Sequence, residues 1–265
     1  MEATLESVTL TGTRTEMYRA GTGPTLLLLM GAGTGKSAWR AVIERLAPTV
    51  HCVAFDNRGA GKASDISEPL TVEQLAGDVA EVIEYLDEGP VHVAGVSLGG
   101  MIAMRLAAEH PELVKSLTLH STAAKLNGRT RDVQELRIAL IDAGAPVSAL
   151  RSIVALWSEG SVGLDFELPR SAEQQTRFNR ENYVNHLAAA RGHAMTAHEL
   201  AAITSPTLIT VGSDDILTTP ADAEHLHRCI GGSTLVTIEG TGHGHYLSDP
   251  DMIALLQAGW VHRHE

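Results

Sequence analysis

"VHVAGVSLGGMIAMRLA", residues 91–107, holds the pattern on which the fold turns. An apolar run leads into Gly95-Val96-Ser97-Leu98-Gly99, and apolar residues at helical spacing follow at once. Gly-x-Ser-x-Gly between a strand and a helix describes a turn tight enough to hold its serine in strained backbone geometry. A Cβ at either glycine would meet the neighbouring strand or helix, which accounts for glycine on both sides. The helix start behind Ser97 favours negative charge developing beside it. The plain alternative is a glycine-rich turn carrying a surface serine.

Outward from this turn, apolar runs alternate with helical patterns. Strands are expected at 25–30, 50–55, 91–96, 116–120, 207–211 and 234–238. Most are continuous Val, Leu and Ile runs, as expected where helices cover both sheet faces. Helices are expected at 38–46, 72–86, 98–109, 221–229 and 251–262. "TLESVTLTG" and "RTEMYRAG" alternate with period two and read as a strand pair on one edge. The order predicts an α/β fold, a mostly parallel, doubly wound sheet of about eight strands. Between 123 and 204 the rhythm stops, leaving helical pieces and no convincing strand. A structureless loop of that length is improbable, so we read an inserted helical lid over a core of 1–122 and 205–265.

A serine hydroxyl needs a base, and the base needs an orienting acid. "TLITVGSDDILTTP" places Asp214 and Asp215 just past a strand, and "LVTIEGTGHGHYLSDP" places His243 and His245 past the next. Both loops lie beyond the carboxyl ends of strands, where open α/β sheets bind ligands. Either aspartate and either histidine is open at this point.

"LLLLMGAGTGKS", residues 26–37, invites a second reading as a phosphate loop. That loop needs four residues between its glycine and Gly-Lys-Ser, but Gly31 leaves three before Gly35. The acid ending "CVAFD" at Asp56 completes the decoy by mimicking a magnesium ligand.

With these motifs the chain resembles the α/β-hydrolase superfamily over nearly its full length. The resemblance implies a cofactor-independent serine hydrolase with Ser97 as nucleophile. The family's Gly-x-x-Asp after the seventh strand matches Gly212-Ser213-Asp214-Asp215 and selects Asp215. Its Gly-His matches Gly242-His243 and selects His243, with Asp214 and His245 in reserve. "DNRGAG" at 56–61 is similar to a family turn in which Asp56 and Arg58 brace loops. The usual His-Gly-x of the oxyanion loop aligns with Met30-Gly31-Ala32, implying the Ala32 and Leu98 amides as oxyanion donors. Lys36 and Ser37 then read as exposed, helix-capping residues. Small carboxylesterases, 3-oxoadipate enol-lactonases and antibiotic-pathway methylesterases such as aclacinomycin methylesterase are the similar groups. They imply a carboxylic ester or lactone substrate, with C–C hydrolases, lyases, cyclases and ligand-binding members as alternatives.

Candidate pocket residues are Met30, Trp157, Phe178, Tyr183 and His186, with Phe166 beside them; for the insert residues, lid packing or surface is an equal reading. The pocket is expected to be mainly apolar with few aromatics, since only 4% of residues are aromatic. A net charge of −12 argues against nucleic acid or anionic membrane as partner. No metal or cofactor is called for, and the expected partner is a small molecule, with monomer or homodimer both open. Two cysteines, one in a predicted strand, and no visible secretory signal make cytoplasm the expected location.

Overall fold

The computed structural model describes residues 3–154 and 179–265. Eight strands form one sheet in the order β1-β2-β4-β3-β5-β6-β7-β8. They are β1 Thr4–Leu10, β2 Thr13–Ala20, β3 Thr25–Leu29, β4 His51–Phe55, β5 Val91–Val96, β6 Val114–His120, β7 Thr207–Gly212 and β8 Thr234–Ile238. β2 runs antiparallel to both its neighbours, and every other pairing is parallel. The α/β sheet expected from the sequence is thus present, with the β1–β2 hairpin on its edge.

Its continuous apolar strands are explained by what lies on each face. Leu27 and Leu29 of β3, Val53 and Phe55 of β4, and Val93 of β5 join one buried cluster. The alternate residues Leu26, Leu28, Cys52, Ala54, Ala94 and Val96 join a second on the opposite face. Period-two geometry therefore gives each strand two apolar sides. Helices Val72–Leu86, Leu98–Glu109 and Pro220–Cys229 supply the first cluster, and Arg40–Leu46 with Pro250–Arg263 the second. Each fully buried leucine adds about 2 kcal/mol.

From β3 the chain passes to β4 on one side and returns to β5 on the other. This reversal opens a crevice at the carboxyl ends of β3 and β5, the place where such sheets bind ligands. Both loops named from the sequence, Met30–Gly35 and the Ser97 turn, leave from it.

Four described helices lie between β6 and β7: Gly128–Asp142, Val147–Val154, Arg180–Gly192 and Ala197–Ala201. The two ends of this insert are tied by a bridge between Lys125 and Ala194. Ala189, Ala190, Met195, Leu200 and Ile203 pack into the first core cluster. Ile141, Val147, Leu150, Tyr183, Leu187 and Leu217 form a smaller cluster of their own.

Two local expectations are corrected. The helix expected over 38–46 begins as a 3-10 turn, Lys36–Trp39, before Arg40–Leu46. Lys36 is buried, not an exposed capping residue. Its Nζ donates to Asp56 Oδ2 and Glu16 Oε1, each at 2.8 Å, and its amide donates to Asp56 Oδ1 at 2.7 Å. Burial works against the ammonium, but the bonds to Asp56 and Glu16 outweigh it and raise its pKa. Gly61 makes room for this hub, since a Cβ there would lie 2.3 Å from Asp56 Cγ. The phosphate-loop look-alike is a brace between the loops after β3 and β4.

Candidate active site

Ser97 lies between β5 and the helix Leu98–Glu109 with φ 54° and ψ −118°, a region that costs a residue with a Cβ about 1–3 kcal/mol. The surroundings hold it there. Its amide donates to the His120 carbonyl at 3.0 Å, and its carbonyl accepts from Thr122 Oγ1 at 2.8 Å. A Cβ on Gly95 would lie 2.2 Å from the Gly99 carbonyl oxygen, and one on Gly99 2.5 Å from that of Leu29. The glycines are fixed by this close approach of helix to strands.

Asp215 and His243 come together from the loops after β7 and β8. His243 Nδ1 lies 2.9 Å from Asp215 Oδ2, and Thr218 Oγ1 donates to the same oxygen at 2.9 Å. Asp215 Oδ1 accepts the Leu217 and Thr218 amides at 2.9 and 3.0 Å. Burial alone would raise this carboxyl's pKa. The His243 charge and bonds from His243, Ser121 and Thr218 overcome burial and hold it at about 2. A buried acceptor-only carboxylate fixes the proton of neutral His243 on Nδ1, leaving Nε2 as the acceptor of the ring. Gly212 lets the two loops meet, since a Cβ there would lie 2.2 Å from the Thr241 carbonyl oxygen. Asp214 is exposed; its carboxylate accepts from Ser213 Oγ at 3.0 Å, and its amide donates to the Thr241 carbonyl at 2.9 Å. His245 is fully buried away from the cavity.

Ser97, His243 and Ala32 line one cavity at the crevice. Gly31 abuts the serine, a Cβ there falling 3.4 Å from Ser97 Cβ. Among the described residues, neither the Ala32 nor the Leu98 amide donates to another protein group. Leu98 opens its helix, where amides are left over by the helical pattern.

The pocket expectations fare differently. Trp157, Phe166 and Phe178 lie outside the described residues. Met30 is buried in the second core cluster beneath the sheet edge rather than in the cavity wall. His186 is a strut: its Nδ1 accepts the Gly33 amide at 2.8 Å and its Nε2 lies 2.7 Å from the Arg58 carbonyl. Tyr183 packs under Gly33, where a Cβ would lie 2.4 Å from its ring, and carries the Arg137 guanidinium 4.9 Å from its centroid. Neither is among the described residues of the cavity wall. Among the described residues that wall mixes polar and apolar side chains. Thr34, Gln134 and Arg137 join Ser97 and His243 in it, the latter two from the helical insert. Sequence reading missed Gln134 and Arg137 because a helix with polar residues all round gives no sign of which face is covered.

A model of the alpha/beta hydrolase fold matches residues 24–250. The chain belongs to the α/β-hydrolase fold family. Among relatives of this α/β hydrolase, a pimeloyl-[acyl-carrier protein] methyl ester esterase from Neisseria meningitidis is 31% identical over 242 residues, covering 88% of this chain and 92% of that one. A hydrolase from Pseudomonas aeruginosa PA01 superposes with a TM-score of 0.82 at 25% identity, covering 96% of this chain and 97% of that one. The enol-lactonase of Burkholderia xenovorans LB400 shares the fold, with a TM-score of 0.86 at 22% identity over 97% of this chain and all (100%) of its own. No helix among the described residues is long and apolar enough to cross a membrane.

Proposed function

We propose that this α/β hydrolase is a cofactor-independent serine hydrolase that cleaves a small-molecule carboxylic ester or lactone through an acyl-enzyme. The observation that carries the reading is the 2.9 Å contact of His243 Nδ1 with buried Asp215, on the wall of a cavity shared with strained Ser97. Ser97 Oγ attacks the substrate carbonyl carbon while His243 Nε2 takes its proton. The carbonyl π pair moves to oxygen, which the Ala32 and Leu98 amides stabilise. Collapse expels the alcohol oxygen, protonated by His243. Water then adds to the acyl carbon, with His243 again as base, and Ser97 leaves with its proton restored. In a lactone the alcohol stays tethered to the acyl group.

The helical insert serves as a lid, placing Gln134 and Arg137 over the reacting centre. Ester and lactone chemistry is supported by the named activities of the relatives and by a site built for acyl transfer. The test is intact mass after fluorophosphonate treatment, with turnover of a short nitrophenyl ester. One adduct and measurable turnover, both lost in Ser97→Ala, are expected. An adduct without turnover of any ester would move the reading to a non-hydrolytic member of the fold, and no adduct would overturn it.

A further inference from the structure

Behind Asp215, on the side away from the cavity, a line of buried polar side chains runs into the core. Gln257 Nε2 lies 2.8 Å from His120 Nε2, and His120 Nδ1 lies 2.6 Å from Thr210 Oγ1. Thr210 Oγ1 is 2.9 Å from His245 Nε2, and His245 Nδ1 is 3.1 Å from Ser121 Oγ. Ser121 in turn bonds to the Asp215 carboxylate. All five of these residues are buried, and Ser121 has φ 41°, a left-handed backbone that serine rarely adopts.

Hydrogen-bond chemistry gives this line one direction. A carboxylate only accepts, so Ser121 must direct its single hydroxyl proton to Asp215. Ser121 Oγ must then receive its other bond from His245 Nδ1–H. A neutral imidazole protonated at Nδ1 accepts at Nε2, so the Thr210 hydroxyl donates there. Thr210 is left to accept from His120 Nδ1–H, and His120 Nε2 accepts the Gln257 amide. Each choice forces the next, and every donor faces Asp215. Reversing the line would require Gln257 turned over and would end by drawing the Ser121 proton off a buried carboxylate.

Resting on the reading of Ser97, His243 and Asp215 as the reacting set, we propose that Ser121 and neutral His245 are positioning residues that fix the Asp215 carboxylate opposite His243. His245 acts only through Ser121: by holding the hydroxyl oxygen, it keeps that proton on Asp215. The titratable groups facing His245 are Asp215 and His243 from the neighbouring loops, His120 from β6, and Tyr246 beside it in its own helix. Burial keeps the His245 ring neutral, with its pKa at about 4, and lowers that of His120 well below the ordinary value. Both imidazoles therefore remain uncharged through the pH range in which an ester hydrolase is assayed.

The test combines Ser121→Ala, His245→Leu and their double variant with the pH profile of nitrophenyl ester kcat/KM. Losing the donor leaves more negative charge on Asp215 and favours the imidazolium of His243, so the acid limb should move to higher pH. A fall in kcat of about tenfold with KM within about twofold is expected, from the size of a hydrogen bond to a charged group. The double variant should be no worse than either single, and His245→Asn, which keeps a donor at the Nδ1 position, should recover most of the loss. A folded Ser121→Ala with an unmoved acid limb and kcat, or additive losses in the double variant, would overturn the proposal. Should the variants not fold, imidazole ¹⁵N shifts of the wild type decide: Nδ1–H at both His245 and His120 is expected, and Nε2–H at His245 overturns it. Failure of the underlying reading shows separately, as a wild type that neither labels nor turns over and an activity indifferent to Asp215→Asn.

Discussion

The Gly33 amide donates to His186 Nδ1 at 2.8 Å across 153 residues of sequence, tying the loop that carries Ala32 to the helical insert. The same imidazole reaches the Arg58 carbonyl through Nε2 at 2.7 Å. Replacing it by leucine leaves a half-buried amide and carbonyl without this partner, each costing about 1 kcal/mol. His186→Leu should therefore lower the urea midpoint and also reduce ester kcat, because the Ala32 loop loses its anchor. A stable variant with full kcat would show that the loop holds its shape alone.

The adjacent aspartates separate cleanly. Asp215→Asn should lower kcat by about 10⁴-fold, because an amide no longer enforces the tautomer of His243. Asp214→Asn, at an exposed position, should stay within about twofold. Steady-state kinetics on the two variants checks this, and the opposite ranking would exchange their roles.

Stability should fall in mild acid. His193 and His245 are buried neutral, and burial lowers both to about 4, with Arg105 adding to the effect at His193. The unfolded chain takes up these protons below an ordinary imidazole pKa near 6.5, whereas the folded chain waits until about 4. Stability from these rings is present above pH 6.5, declines as pH falls towards 4, and then levels, by roughly 3 kcal/mol for each. Neither ring nitrogen of His193 has a partner among the described residues. Thermal unfolding of His193→Phe should accordingly show a shallower decline across that window than wild type.

Strain at Ser97 predicts a trade between stability and chemistry. Ser97→Gly and Ser97→Ala should both be inactive, but glycine accepts φ 54° freely. In urea, Ser97→Gly should be the more stable of the two by about 1 kcal/mol. Equal stabilities would mean that the turn stores no strain.

The Lys36 brace gives a further contrast with a phosphate loop. Lys36→Met strands Asp56, which is only 2% exposed, and should destabilise by about 3–5 kcal/mol. Equilibrium dialysis with ATP should find no binding in either form.

Local sequence carried the elbow, because the Gly95 requirement is set by Gly99 and Gly100 a few residues away and that of Gly99 by the end of the adjacent strand β3. The sheet was legible because both its faces are apolar, and the meeting of the Asp215 and His243 loops because each directly follows a strand. What failed depended on encounters that periodicity does not encode. Met30 stands where a polar residue is usual and turns into the core. His186 looked like a pocket residue because nothing in "ENYVNHLAAAR" states that its two ring nitrogens meet backbone from other loops. Lys36 looked exposed because its partners lie far off in sequence, Glu16 within β2 and Asp56 just past β4. The line from Ser121 to Gln257 draws on four separated segments and has no local signature.

The position of the insert separates two evolutionary tasks. Ser97 precedes it and Asp215 and His243 follow it, whereas Gln134 and Arg137 belong to it. On the proposed function, a foreign insert grafted between β6 and β7 would replace Gln134 and Arg137 on the cavity wall and leave Ser97, Asp215 and His243 in place. It would have to bring an acceptor for the Gly33 amide where His186 now stands, and donors for the Leu217 carbonyl, to which Asn127 and Thr130 now bond at 3.0 and 2.6 Å. Those bonds would carry a change of insert to the loops that hold Ala32 and Asp215.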